Sequence, residues 1–97
     1  MASRDRARVQ TEQHECSPLG QAVRERREEL RVTQEALAAA AGLATKRVWQ
    51  IERRDTNPTQ ATLRAIAAAL HVPAELLTLR AAVIEADRER RTRHRSR

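Results

Sequence analysis

Residues 34–53 read QEALAAAAGLATKRVWQIER, and their spacing describes two short helices meeting at a sharp bend. Leu37, Ala38 and Ala41 share one side of a first short helix, and Gly42 follows, suited to the left-handed conformation that ends a helix. Leu43 tucks inward, and a second helix begins near Thr45. Val48 and Ile51 lie three apart in it, one turn of apolar face. Two helices crossing steeply over so short a turn leave little room at their closest approach, which accounts for the small side chain of Ala38. Small residue, turn glycine and inward apolar residues in this order form a helix-turn-helix.

With Val48 and Ile51 inward, the opposite side of the second helix carries Lys46, Trp49, Gln50 and Arg53. Two cations, an amide and a flat ring suit a duplex major groove, where lysine matches guanine and glutamine matches adenine. Thr45, at the start of the helix, points along its axis toward the same surface.

The stretches LGQAVRERREELRVTQEALAAAAGL (19–43), VWQIER (48–53) and NPTQATLRAIAAALHVPAELL (57–77) follow one another in an order that resembles the Cro/C1-type helix-turn-helix domain of phage repressors and many bacterial regulators. The resemblance covers Leu19 to Leu77, about three-fifths of the chain. It implies an all-α, five-helix lambda-repressor-like bundle whose third helix reads DNA. It also implies an ion pair between Arg27 and Glu52, against the alternative of a solvated Arg27, and a phosphate contact at Gln34.

Three positions depart from that pattern. Ala44 stands where Ser or Thr usually caps the recognition helix, so Thr45 is expected to take over and shift the helix start by one. Arg54 stands where many members have Gly, which predicts a stretched turn or a left-handed Asp55. Trp49 replaces a small or polar residue. It is placed against thymine methyls or the sugar backbone, with packing on the first-turn side chains or on a partner subunit as the alternatives.

The chain of 97 residues has room for one small core with tails. It has no Phe or Tyr, and Trp49 is its one aromatic, so the interior must be built from Leu, Ile, Val and Ala. A formal charge of +6 favours a polyanionic partner. Much of the surplus lies at the C-terminus, where Arg80, Arg88, Arg90, Arg91, Arg93, Arg95 and Arg97 face only Glu85, Asp87 and Glu89. A single cysteine excludes an intrachain disulfide and fits a reducing cytoplasm. No apolar run has the length of a signal peptide or membrane span, so no membrane role and a cytoplasmic location are expected.

Around the core motif, residues 1–17 are polar and aperiodic, and are expected to form a flexible N-terminal arm. His14 and Cys16 are too few for a metal site and read as solvated bystanders. Ser17-Pro18 is a cap and first turn for a helix to about Leu30, with Leu19, Val23 and Leu30 inward and Gln21, Arg24, Glu25 and Glu28 outward. Thr33 caps the next helix. Its N-terminus, with Thr33 and Gln34, can hold a phosphate or be ordinary capping. Arg53, Arg54, Thr56 and Asn57 are further phosphate candidates beside the groove. Thr59 caps a fourth helix with Leu63, Ile66, Ala67 and Leu70 inward, and His71 ends it. Val72-Pro73 opens a fifth, in which Leu76 and Leu77 close the bundle.

Past Leu77, helical spacing continues through Leu79, Val83, Ile84 and Ala86 into a basic end. Leu76, Leu79, Val83 and Ala86, at 3-4-3 spacing, are the candidate dimer contact, the rival being that they fold back on their own domain. Arg88 to Arg97 are expected to be a disordered tail that attracts phosphates. The division is an arm over 1–17, a DNA-binding domain over 18–79, and a helical extension with basic tail over 80–97.

The function expected is a sequence-specific transcriptional regulator, a repressor binding double-stranded DNA as a homodimer on an inverted repeat. Rival readings are an antitoxin that holds a toxin with a terminal segment and represses its own operon, and an adaptor that keeps the fold and binds other proteins. No paired carboxylates, nucleophile and base, metal cluster or phosphate-cradling glycine loop is present, so neither an enzyme nor a cofactor is expected.

Overall fold

A computed structural model describes residues 16–54 and 57–95 of the chain. Five helices make up the described residues: α1 (Pro18–Glu29), α2 (Gln34–Ala41), α3 (Thr45–Arg53), α4 (Gln60–Ala69) and α5 (Ala74–Arg95). The N-terminal arm up to residue 15, with His14, lies outside the described residues, as do Asp55, Thr56 and the last two residues.

Local side-chain chemistry sets most helix starts. The Ser17 hydroxyl accepts from Gly20 N at 2.9 Å, Thr33 from Ala36 N at 3.0 Å and Thr59 from Thr62 N at 3.1 Å. Each satisfies a backbone donor that the first turn leaves orphaned. The start of α3 differs from expectation. Ala44 is the cap residue and makes no side-chain bond, so Thr45 is the first helical residue and does not replace it. The Ala44 carbonyl already accepts from Arg47 N at 2.9 Å and Val48 N at 3.3 Å, which fixes the helix start without a hydroxyl.

Three helices end in the same way. Gly42 has φ +72°, with Leu43 N donating to Ala38 O at 2.8 Å and Gly42 N to Ala39 O at 3.3 Å. Arg31 (φ 58°) repeats this pair of bonds after α1, and His71 (φ 61°) repeats it after α4. This two-bond closure favours glycine at its left-handed residue. A side chain there costs on the order of 1 kcal/mol, so Arg31 and His71 carry strain that Gly42 does not.

Val23, Leu37, Ala38, Val48, Ile51, Leu63, Ile66, Ala67, Leu70 and Leu77 form one core from all five helices. Burying each of the larger aliphatic side chains contributes about 1.5–3 kcal/mol before entropy is charged against it. The crossing of α1 over α3 is tight: a Cβ on Gly20 would lie 2.3 Å from the Ile51 carbonyl oxygen.

The fifth helix runs antiparallel to α1. Arg80 Nη1 lies 3.1 Å from Glu29 Oε2 near one end of α1. Near the other, Arg88 Nη1 donates to Cys16 O at 2.6 Å and its Nη2 bonds Gln21 Oε1. Two expectations are corrected here. Gln21 is an interhelical partner, not simply an outward residue. The basic end is not a disordered tail up to Arg95, because Arg88 tethers it and Asp87 pairs with Arg90 and Arg91 at 3.2 and 2.9 Å along the helix.

Leu77 alone of the Leu76-Leu77 pair closes the bundle, at 2% exposure against 41% for Leu76. Adjacent helical residues point about 100° apart, so one of the two must face away. Leu79 and Val83 are each 62% exposed, and Ala86 is exposed as well. No single described helix is long and apolar enough to cross a membrane.

Candidate nucleic-acid interface

The helix α3 is held by its inner face. Val48 and Ile51 are in the core, and beside them Glu52 is only 1% exposed. Arg27 donates to both carboxylate oxygens of Glu52, from Nε at 2.7 Å and Nη2 at 3.0 Å, while Gln34 Nε2 adds a third bond at 3.0 Å. Arg27 Nη1 also donates to Val32 O at 2.8 Å, so the guanidinium fork is used on both sides. One buried carboxylate thereby fixes α3 against both α1 and α2. Such a pair adds less to stability than to orientation. The hydrogen bond to Glu52 raises the Arg27 pKa despite the opposing effect of burial, keeping the guanidinium charged.

Cys16 is not a solvated bystander. Its thiol donates to Glu52 O at 2.8 Å, and its own carbonyl accepts from Arg88. Burial pushes the thiol pKa up, against the pull of Arg88 and Arg24. These partners are 36 and 72 residues away in sequence, and no local pattern announces them.

The outer face of α3 carries the residues singled out from the sequence. Thr45, Lys46, Trp49 and Arg53 are exposed and Gln50 is half-buried. They share one helical surface. Trp49 is 37% exposed, with the Arg53 and Arg54 guanidinium carbons 5.9 and 5.6 Å from its ring centroid. Both lie within cation–π range, so the indole is in contact with two cations. Arg54 is extended at φ −119° and ψ 160°, which explains why no glycine is needed there. Neither Lys46, Arg53 nor Arg54 makes an ion pair among the described residues.

The phosphate candidates divide. Thr33 and Asn57 are exposed, and Thr56 lies outside the described residues. The Gln34 side chain is half-buried with its Nε2 committed to Glu52, a role the sequence did not indicate. In the first turn of α2 the Ala36 N–H is taken by Thr33 Oγ1, which leaves those of Gln34 and Glu35 without an intrahelical acceptor. Among the described residues no cluster of His, Cys, Asp and Glu has the makings of a metal site.

A helix-turn-helix family model matches residues 23–77, more than half of the chain. Several solved structures are similar. The restriction-modification controller protein C.AhdI from Aeromonas hydrophila is 32% identical, with 62% of this chain and 91% of that one covered and a TM-score of 0.60. The clp gene regulator ClgR from Corynebacterium glutamicum is 25% identical over 79% of this chain and 85% of its own, with a TM-score of 0.70. The DNA-binding domain of the P22 C2 repressor is 32% identical over 62% of this chain and 79% of its own, with a TM-score of 0.60. A search of curated proteins gave no match.

Proposed function

The chain belongs to the Cro/C1-type helix-turn-helix family and is a DNA-binding transcriptional regulator; we propose that it represses transcription in the cytoplasm as a homodimer on an inverted repeat. The observation that carries this reading is the outer face of α3, cationic and exposed, while its inner face is locked by the buried Glu52. Thr45, Lys46, Gln50 and Trp49 are the base-reading residues. Thr33, Gln34 through its helix N-terminus, Arg53, Arg54 and Asn57 position the domain on phosphates, and Thr56 is included from its place in the sequence.

The homodimer draws support from Leu76, Leu79, Val83 and Ala86, an apolar stripe at coiled-coil spacing on the side of α5 turned away from the bundle. A two-fold axis would then present recognition helices to half-sites about 34 Å apart.

Selection of bound sequences from random duplex DNA, followed by a salt titration on the winner, tests this. The expected outcome is a pseudo-palindrome with two half-sites one helical turn apart, bound with a strongly negative salt slope. Enrichment of no sequence, or of a single unrepeated half-site by a protein that runs as a monomer in light scattering, would overturn it.

A further inference from the structure

The α5 helix is longer than the bundle it packs on. The stripe facing the bundle runs Leu77, Ala81, Ile84 and Arg88 at 4-3-4 spacing, passing from buried through half-buried positions. At Arg88 the helix has drawn level with Cys16 and Gln21, the N-terminal end of α1. No further α1 remains beneath it. Residues 89–95 therefore run about 10 Å past the described end of α1 at the usual helical rise, and this segment is the overhang.

The overhang lies on a defined side of the molecule. Cys16 bridges it to the recognition helix, since its carbonyl holds Arg88 and its thiol holds the Glu52 carbonyl. The overhang thus starts one bridging residue away from the end of α3, where Arg53 and Arg54 flank Trp49. Arg91 continues the stripe of Arg88 beyond the bundle. Arg90 and Arg91 are 73% and 75% exposed in their side chains, and their common acidic partner is Asp87. Exposed pairs of this kind are worth little, so exchanging one carboxylate for a phosphodiester costs little.

We propose that the last two turns of α5 form a second DNA-contacting element, which seats Arg90 and Arg91 on backbone phosphates flanking the segment read by α3. This rests on α3 being the recognition helix, and it assigns the overhang a position on the duplex in place of a diffuse attraction. Arginine on backbone phosphate carries no sequence information. It extends the footprint and steepens the dependence on salt.

The test uses the full chain and two duplexes: the selected site with ten base pairs of flank on each side, and the same site trimmed of flanks. The wild type should bind the longer duplex more tightly. Arg90→Gln/Arg91→Gln should lose about 10-fold on the long duplex, lower its log–log salt slope by about 2 per chain, and leave the trimmed duplex unchanged. Asp87→Asn releases both arginines and should shift affinity the other way, with the gain confined to the long duplex. Equal effects of these variants on both duplexes, or no effect on either, would overturn the proposal. Failure of α3 as the reader would look different, because Lys46→Ala would then leave binding to both duplexes intact.

Discussion

Replacing Arg27 by methionine removes the cation while keeping much of its volume, and the structure allows the cost to be worked out. Glu52, 1% exposed, loses two short charge-assisted hydrogen bonds and keeps Gln34 as its remaining side-chain donor. Each lost bond to a charged group is worth roughly 1.5–3 kcal/mol, and breaking a buried pair by removing one partner costs about 3–5 kcal/mol altogether. Domains of this size are stable by about 5–15 kcal/mol, so a large part of the total is at stake. Thermal and urea unfolding followed by circular dichroism should show Tm falling by about 15–30 °C. The double variant Arg27→Met/Glu52→Leu should regain most of the loss, because no uncompensated charge stays buried. A single-variant cost below about 1 kcal/mol, as for an exposed pair, or a double variant as unstable as the sum of its parts, would show that Glu52 does not depend on Arg27 in this way.

Gly20→Ala should destabilise by about 1–3 kcal/mol in the same unfolding assay, although alanine is the better helix former, because its Cβ would meet the Ile51 carbonyl at 2.3 Å. His71→Gly and Arg31→Gly should each raise stability by up to about 1 kcal/mol by relieving a left-handed backbone, read as a higher Tm with an unchanged spectrum. The Cys16 thiol should alkylate more slowly with iodoacetamide at pH 8 than free cysteine. Its folded pKa is raised by burial, so its contribution to stability is whole below the unfolded value near 8.5 and declines as pH rises through the folded one. Unfolding measured from pH 7 to 10 should therefore show wild type losing more stability than Cys16→Ala.

What the sequence discloses about this fold follows the range of the forces involved. Ser17, Thr33, Thr59 and Gly42 act within four residues of themselves, so the starts of α1, α2 and α4 and the end of α2 can be read directly. The spacing of Val48 and Ile51 likewise divides α3 into an inner and an outer face, because a helical period is a property of the chain itself. Contacts between distant segments are a different matter. Cys16 gains its role from Glu52 and Arg88, and the tether that Arg88 makes is what carries α5 into residues whose composition alone resembles an unfolded tail. Gln34 is legible as a helix-start residue but not as a ligand of Glu52. Ala44 misleads for a simpler reason: a helix can begin on backbone bonds alone, so a missing hydroxyl need not move its start.

Amide chemical-shift mapping of the labelled protein against the selected duplex shows whether the outward face of α3 meets DNA. The largest shifts should fall on Thr45, Lys46, Trp49 and Gln50 and on the first turn of α2. Shifts confined to α4 and the outer stripe of α5, with α3 unmoved at saturation, would contradict that contact.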